Sequence, residues 1–395
     1  MAPMSMDFYK APLNPCSVET IPEPLQLSDG SRIWPVMLSC YELQEDKKRH
    51  GQMDLFGVRV PDFSKALGSS MVLRFGRPKK VLNPTDSQKS GILDGKWIRD
   101  ATDEAKFYFA SAHSSGKIGV HSCSIPNDSR YASEDLEIPL DIKSAGQSES
   151  LPSDNLPPLC LALSWDSDYI EKSARIVSSY SDGRVAIHDV EKLDDGKLEL
   201  LEIESWVGHE MFTVASEVWS AAFVGGKGTQ LVMSGGDDVT LKLWDLRATA
   251  RPIQVLKHFD AGVTVIAPHP RRPNLVACGS YDETIACYDI RMPARPVGHS
   301  GPLGGGIWRI KWHPYDDNRM LVAAMHGGCR IVQVDESDDD TIVMTATKEF
   351  TEHKSMAYGA DWLVCNHPNE EEGYFEAAAS CSFYDRAVYL WDTVA

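Results

Sequence analysis

The chain has 395 residues, of which 43% are hydrophobic and 24% charged, and its formal net charge is −18. This composition is that of a soluble globular protein, and an acidic chain with only short basic clusters argues against nucleic acid as the main partner. No segment reaches the roughly 18 uninterrupted apolar residues of a membrane helix, and the N-terminus lacks the pattern of a secretory signal. We therefore expect a cytoplasmic protein without a membrane partner.

The nine cysteines are scattered and form no Cys-x-x-Cys pair. Several of them, such as Cys278, Cys287 and Cys381, fall within predicted strands. This usage predicts reduced, mostly buried thiols rather than a disulfide framework or a zinc ribbon. We expect neither a metal nor a cofactor.

In chain order, the first predicted element is a short strand in the segment MDFYKAP (6–12). Two degenerate hairpins follow, at 34–60 and at 107–122. Four clear copies of an Asp-x6-Asp pattern come next, each following a strand of small residues. They are Asp182 to Asp189, Asp238 to Asp245, Asp282 to Asp289 and Asp385 to Asp392. A further degenerate copy (320–335) has Gly328 in the place of the first aspartate. Alternating apolar residues around a tight turn predict a β-hairpin in every copy.

A lone histidine stands upstream of four of these hairpins, at His209, His258, His299 and His353. Each unit thus begins with a histidine and continues with three strands. A turn joins the first two strands, a turn that contains the first aspartate joins the second and third, and the third strand ends in Trp-Asp or Tyr-Asp. This order resembles the WD-repeat β-propellers, which the chain matches at 209–245, 258–289 and 353–392. An internal repeat of this kind decides the fold class.

The resemblance implies one all-β, seven-bladed propeller over residues 1–395, because units that cannot bury both faces alone can do so when packed radially. The segment 6–12 then supplies the outermost strand of the last blade and closes the ring. Surface insertions are expected near 61–95, 124–158 and 191–206. The blades are predicted at approximately 17–60, 96–123, 159–190, 209–246, 258–291, 299–335 and 353–392.

Most histidines are predicted to be structural. The lone histidine of a WD repeat usually bonds the turn aspartate of its own blade, and buried polar groups demand partners. His269, His313 and His367 precede prolines in turns, and His188 occupies a Trp position, where it should pack.

His326, in AAMHGG, differs because no structural partner is assigned to it. Its register lies at the end of the second strand of its blade, near the mouth of the propeller, and His113 shares that register. Polar residues that line a central pocket are the default site candidates.

Asp237, Tyr281 and Tyr384 share a register one residue before the turn aspartate and should point to the rim of the pocket. The alternative is that these three side chains are solvated residues of the rim without a functional role. Trp219 and the pair Trp308–Arg309 lie at the starts of first strands, and a Trp beside an Arg is typical of a protein contact; core packing is the alternative. Gly304, Gly305 and Gly306 permit close backbone approach but do not form a phosphate loop.

A closer resemblance rests on an ordered set of motifs between residues 160 and 392. They are SGGDD (234–238), GSYDE (279–283), GGIWRIKWHP (305–314), AAMHGG (323–328), YGADW (358–362) and SCSFYD (380–385). In this order they resemble the diphthamide-pathway WD-repeat family, whose members are named diphthine methyltransferase but act as methylesterases. The resemblance implies hydrolysis of diphthine methyl ester on translation elongation factor 2, a protein substrate.

Ester hydrolysis needs an activated water or nucleophile and donors for the oxyanion. His326 is the candidate general base, with Asp237 to orient it. Tyr281, Tyr384 or Arg309 could stabilise the oxyanion or hold the substrate. Ser280, Ser382 and Cys381 are candidate nucleophiles, although each is better explained as a small strand residue; Ser280 and Ser382 are also candidates for substrate binding, with Trp219, Trp308 and Arg309.

Two other functions compete with ester hydrolysis. A non-catalytic interaction scaffold is the alternative by fold alone. Methyl transfer is disfavoured because the sequence has no Rossmann element for a methyl donor.

Overall fold

The structure is a computed structural model, which describes residues 5–21, 23–26, 32–45, 47–60, 73–82, 90–124, 141–148, 157–194, 196–337, 341–366 and 374–393. Strands and turns make up the described residues, which contain no helix. Among them, no helix is therefore long and apolar enough to cross a membrane. His367 lies outside the described residues.

The first three sheets come from the N-terminal half of the chain. The first has β2 (Asn14–Thr20), β3 (Leu25–Gln26), β4 (Arg32–Leu43), β5 (Arg49–Arg59) and β6 (Lys79–Leu82), in the order β2-β4-β5-β6 with β3 beside β4. The second has β7 (Ile92–Asp100), β8 (Lys106–His113), β9 (Ile118–Ser124) and β10 (Asp141–Gln147), with β12 (Tyr169–Ile170) added beside β7. The third has β11 (Cys160–Trp165), β13 (Ser173–Tyr180), β14 (Arg184–Lys192) and β15 (Leu198–Val207).

A two-stranded hairpin, β16 (Glu210–Met211) and β17 (Val214–Ala215), precedes the fourth sheet, β18 (Val218–Val224), β19 (Leu231–Gly236), β20 (Leu241–Asp245) and β21 (Gln254–Leu256). An eight-stranded sheet follows, in which two four-stranded units meet at one parallel pairing, Gly298 with Ile342. Its first half has β22 (Val263–Pro268), β23 (Leu275–Ser280), β24 (Ile285–Asp289) and β25 (Gly298–His299). Its second half has β26 (Arg309–Trp312), β27 (Arg319–Ala323), β28 (Cys329–Glu336) and β29 (Ile342–Phe350).

The last sheet joins the two ends of the chain. It contains β30 (Ala357–Asn366), β31 (Tyr374–Ser382) and β32 (Ala387–Asp392), and its outermost strand is β1 (Ser5–Lys10). Residues 5–10 pair antiparallel with 387–391, so the predicted N-terminal strand lies in the predicted place. Closure of this kind protects the edges of a propeller sheet.

The sheets pack radially as a WD-repeat β-propeller. Each innermost strand packs against the innermost strand of the next unit, in the order β2, β7, β11, β18, β22, β26, β30 and back to β2. The core lies between neighbouring sheets: one cluster, for example, joins Trp34 of the first unit to Leu390 of the last. The predicted fold class is confirmed, and we interpret the seven four-stranded units as the seven predicted blades.

The predicted surface insertions contain strands. β15 occupies most of 191–206, β10 lies within 124–158, and β6 and the start of β7 lie within 61–95. These strands escaped prediction because most are outermost strands with a largely solvated face, as the mainly exposed β15 shows. An outermost strand needs little of the apolar alternation that marks a buried strand.

Candidate functional site

The mouth of the propeller is shaped by β-bulges. Six of the seven innermost strands carry one extra residue near their start, where the pairing register shifts. The extra residues are Cys16, Leu93, Leu161, Trp219, Thr264 and Tyr358. A bulge bends the strand and redirects a side chain, so the repeated bulge places Trp219 and Tyr358 in equivalent positions at one end of the ring.

Five aromatic rings from neighbouring units form a continuous group at this end, which we call the aromatic cluster: Trp219, Tyr281, Trp308, Tyr358 and Phe383. The Trp219 ring lies 5.6 Å from that of Trp308 and 6.1 Å from that of Tyr281. Trp308 stacks on Tyr358 at 4.9 Å, and Tyr358 contacts Phe383 at 5.2 Å. The cluster therefore spans the fourth to the seventh unit.

Two further tyrosines extend the aromatic cluster. Tyr384 contacts Phe383 at 5.0 Å and is 68% exposed, which places it at the rim as predicted. Tyr41 of the first unit also contacts Phe383 at 5.0 Å, and the Arg49 guanidinium lies 5.9 Å from the centre of the Tyr41 ring. A cation therefore lies at the end of the cluster contributed by the first unit.

Two carboxylates lie beside the cluster on the fourth unit. Asp237 is exposed and accepts a hydrogen bond of 3.3 Å from the indole N–H of Trp219. Glu217 is half-buried; burial and the negative charge of Asp237 raise its pKa, and Arg49 opposes this shift. Burial, Tyr358 and these two carboxylates raise the pKa of Tyr281. Asp237 and Tyr281 thus lie together, as their shared register predicts.

Below the mouth, six charged side chains of the innermost strands form a central ion network. They are Glu19, Asp94, Lys96, Arg309, Lys311 and Asp361. Lys96 lies 2.9 Å from Glu19 and 2.8 Å from Asp94, and Lys311 lies 3.1 Å from Asp361. Three acids and three bases balance, so the network joins units one, two, six and seven without net charge.

The prediction that Arg309 forms a contact pair with Trp308 at the rim is wrong. Arg309 is largely buried and lies 3.0 Å from Asp94, because successive residues of an extended strand point to opposite sides. Trp308 enters the aromatic cluster, whereas Arg309 enters the central ion network. Its guanidinium is therefore committed to a carboxylate rather than free to bind a substrate.

His326 lies in the turn between β27 and β28, and its side chain is exposed. Asp237 bonds Trp219, and no hydrogen bond joins it to His326 in the described structure. The expectation that Asp237 orients His326 is therefore not met.

The run Gly304–Gly306 connects the His326 turn to the aromatic cluster. A Cβ on Gly305 would lie 2.3 Å from the Ala324 carbonyl oxygen and 3.0 Å from the His326 nitrogen. A Cβ on Gly306 would lie 3.1 Å from Tyr281. Only residues without a side chain allow such an approach, so the glycine run is structural, as its sequence predicts.

The chain is similar in sequence to several known proteins. The WD domain, G-beta repeat model matches residues 250–289. The chain is 32% identical to the diphthine methyltransferase homolog of Dictyostelium discoideum over 76% of each chain. It is 34% identical to the diphthine methyltransferase of Homo sapiens over 82% of this chain and 69% of the human protein.

The chain belongs to the diphthine methyltransferase family. A solved chain of the mitotic checkpoint complex, 14% identical, superposes with a TM-score of 0.55 over 99% of this chain and 92% of its own length. That likeness shows the propeller fold alone.

Within this member of the diphthine methyltransferase family, the predicted nucleophiles are structural. Ser280 is fully buried, donates to the Ala261 carbonyl at 3.0 Å and accepts from the Asp282 nitrogen at 3.1 Å. Ser382 is also fully buried and joins His353, at 2.8 Å, to Asp385. Cys381 is fully buried, and burial raises its pKa. A nucleophile needs access to substrate, which these three side chains lack.

The turn aspartates hold hairpins, as expected. Asp182, Asp238, Asp282 and Asp385 each accept a hydrogen bond from the backbone nitrogen two residues later. This is the local turn that an aspartate side chain favours.

The repeat histidines diverge from one another. His209 follows the WD pattern, with hydrogen bonds of 2.8 Å to Asp238 and 2.7 Å to Ser234. His353 reaches Asp385 only through Ser382. His258 is exposed and bonds Tyr288 at 3.3 Å, and His299 is exposed on the two-residue strand β25. The prediction of a structural bond to the turn aspartate is thus wrong for His258 and His299, because their outer position leaves both in solvent.

The remaining histidine predictions hold where the structure describes them. The Nδ1 atoms of His269 and His313 accept backbone hydrogen bonds that organise their turns. His188 is buried against Ser178 at 2.9 Å. His113 is buried and bonds Ser111 at 2.9 Å, so it does not share the exposure of His326.

Sequence reasoning missed several residues of the mouth: Tyr41, Arg49, Glu217, Tyr358 and Phe383. A usable signal existed for two of them, because Tyr358 occupies the bulge position that Trp219 marks and Glu217 lies two residues before that position. The central ion network was also detectable, since charged residues interrupt inner strands at VET (18–20) and WRIKW (308–312). Among the described residues, no group of three His, Cys, Asp or Glu could hold a metal ion.

Proposed function

We propose that this protein acts in diphthamide biosynthesis by hydrolysing the methyl ester of diphthine methyl ester on translation elongation factor 2. The observation that carries the proposal is the aromatic cluster at the mouth with Asp237 and Glu217 beside it. A pocket with a few convergent polar groups and a carboxylate of perturbed pKa is the expected form of an active site. Membership of the diphthine methyltransferase family supplies the substrate.

In the reaction, a water oxygen forms a bond to the ester carbonyl carbon, and the bond from that carbon to the methoxy oxygen breaks. The base takes a proton from the water, and methanol leaves after receiving it. A carboxylate whose pKa is raised by burial is a stronger base near neutral pH. Glu217 fits this role because burial and Asp237 both raise its pKa. His326 remains the second candidate, since its exposed side chain lies at the same end of the ring.

Positive charge for the developing oxyanion is available from Arg49. Its guanidinium lies 5.9 Å from the centre of the Tyr41 ring and acts electrostatically on Glu217. A fixed cation or hydroxyl at this position would stabilise the tetrahedral intermediate. The Tyr281 and Tyr384 hydroxyls are the other donors we propose for this task. Arg309 is not proposed as a donor, because it pairs with Asp94 in the central ion network.

A protein substrate needs a contact surface outside the pocket. The β16–β17 hairpin directly precedes Glu217 and Trp219 and exposes Met211, Phe212 and Val214, with Phe212 93% exposed. Exposed apolar groups in one place mark a protein contact. We propose that this hairpin contacts the elongation factor while its modified side chain enters the mouth.

The test is incubation of the purified protein with elongation factor 2 that carries diphthine methyl ester. The expected result is loss of one methylene from the mass of the factor, with release of methanol. No turnover at stoichiometric enzyme would leave the non-catalytic scaffold as the function. Transfer of a methyl group is disfavoured because the described residues contain no helix and so no Rossmann unit.

A further inference from the structure

We propose that the aromatic cluster binds the quaternary ammonium group of diphthine, with Trp219, Tyr281 and Trp308 forming the binding surface and Asp237 and Glu217 supplying the opposite charge. This inference rests on the proposed function, because the diphthine side chain carries a trimethylammonium group beside its carboxyl group. It adds a recognition task to the roles proposed above for Glu217 and Tyr281, and it gives Trp219 and Trp308 a role in binding.

The geometry of three rings supports this assignment. The centres of Trp219, Tyr281 and Trp308 form a nearly equilateral triangle, with sides of 5.6, 6.0 and 6.1 Å. A cation above the middle of this triangle lies within about 6 Å of all three ring centres, and it is attracted to those rings whose faces it lies over. The ring planes are inclined to one another by 40° to 89°, so the three rings are not stacked face to face.

The rings are also held in place. The indole N–H of Trp219 is fixed by Asp237, and Trp308 is fixed by stacking on Tyr358. Tyr281 packs against the glycine run through Gly306. A preordered cage loses little side-chain entropy on binding, which favours a small rigid cation.

The charge around the cluster points to a cationic ligand. In the described part of the chain, neither Asp237 nor Glu217 has a cationic side chain within salt-bridge distance of 4.0 Å. Arg49 acts on Glu217 only at longer range, and Lys96, Arg309 and Lys311 are committed to the central ion network. The aromatic surface therefore has two carboxylates beside it whose charge a bound quaternary ammonium would balance.

Binding over the aromatic cluster would then orient the substrate. The ammonium group would lie over the rings of units four to six, with the ester beside it. Because one side chain carries both groups, binding of the ammonium would place the ester near the proposed base.

The test is isothermal titration calorimetry of the full chain with two probes. Choline chloride is the quaternary ammonium probe, and the dimethylbutanol isomer in which a carbon replaces the choline nitrogen is its uncharged isostere. We expect choline to bind and dimethylbutanol to bind far more weakly. Trp219→Leu and Tyr281→Leu should each weaken choline binding roughly five- to thirtyfold. Tyr169→Leu is the matched control, because Tyr169 lies beside the far end of β7, away from the mouth, and it should bind choline as the parent does.

Asp237→Asn is a second test, which does not depend on whether the ring variants fold. Because Asp237 is exposed, its substitution should not disturb the packing of the propeller. It should weaken binding of choline and leave dimethylbutanol unaffected. Choline binding that is insensitive to all three substitutions, or equal binding of the two probes, would overturn the cage. Ring-dependent choline binding without any turnover of the methyl ester would instead overturn the esterase function and leave the cage standing.

Discussion

The indole N–H of Trp219 donates a hydrogen bond to Asp237 across 3.3 Å. Trp219 is the bulge residue of β18, and Asp237 follows β19 directly, so the bond links two features that each repeat around the ring. It orients one ring of the aromatic cluster and holds a carboxylate beside it. The catalytic and binding proposals both depend on this pair.

The choice of general base is testable by substitution. Glu217→Gln removes the carboxylate whose pKa burial raises, and loss of a general base typically lowers kcat by about 100-fold or more. His326→Ala should change kcat by much less if Glu217 is the base. The measurement is kcat for hydrolysis of the ester on elongation factor 2 as a function of pH. The reverse ranking of the two variants would return the role to His326.

The central ion network should matter more for stability than any surface ion pair. Lys311→Met leaves the buried Glu19 and Asp361 without their shared cation, and breaking a buried pair costs about 3–5 kcal/mol of the free energy of unfolding. Chemical denaturation measures this loss. The control is Arg247→Met, which removes an exposed pair with Asp245 and should have little effect on the free energy of unfolding, because solvent screens exposed ion pairs. Equal effects of the two substitutions would contradict a structural role for the network.

Stability should fall on acidification below neutral pH. Burial lowers the pKa of His121, His188 and His353 to about 4 and that of His113 to about 3, from 6.5. Below pH 6.5 the unfolded chain therefore binds protons that the folded chain does not, and stability is lost until the pH reaches the folded pKa. One such histidine contributes a loss on the order of 3 kcal/mol between pH 6.5 and 4.

His188→Asn tests this origin of the acid sensitivity. Removing one buried neutral histidine should flatten the dependence of the free energy of unfolding on pH between 6.5 and 4. His299→Asn is the matched control because His299 is exposed, and it should leave the slope unchanged. An unchanged slope in the His188 variant would assign the acid sensitivity to other groups.

The glycine run should tolerate no side chain at its centre. Gly305→Ala would bring a Cβ within 2.3 Å of the Ala324 carbonyl oxygen, and such overpacking costs about 1–3 kcal/mol. It should also lower turnover, because the His326 turn and Tyr281 pack on this run. Thermal unfolding of the two variants measures this cost. Gly301→Ala is the control and should be nearly neutral, because no atom lies within 4 Å of the added Cβ. A neutral Gly305 variant would contradict the close packing.

The proposed docking role of the exposed hairpin can be tested separately from the chemistry. Phe212 and Thr213 both have positive φ, 51° and 68°, which matches a two-residue hairpin turn that favours Asn or Gly. Phe212→Asn should therefore leave the fold intact or slightly more stable. It should raise KM for the elongation factor severalfold without changing kcat, because it removes an apolar contact and no reacting group. A change in kcat alone would argue against docking through this hairpin.

The repeat pattern alone determined the fold class, the ring closure by residues 6–12 and the register that brings Asp237, Tyr281 and Tyr384 to the mouth. Local hydrogen bonding explains this success, since each turn aspartate bonds the backbone two residues later and so leaves a fixed spacing in the sequence. The outermost strand β15 left no such trace, because its solvated residues need no apolar period.

Only the tertiary structure decided which neighbouring residues share a surface. Trp308 and Arg309 are adjacent in sequence, yet the strand turns one toward the aromatic cluster and the other toward Asp94 of a distant unit. Likewise, Arg49 lies near the Tyr41 ring at the first-unit end of the aromatic cluster, and Ser382 is hydrogen-bonded to His353 and Asp385. Contacts between units depend on how the sheets pack around the axis, and no spacing within one repeat encodes that packing.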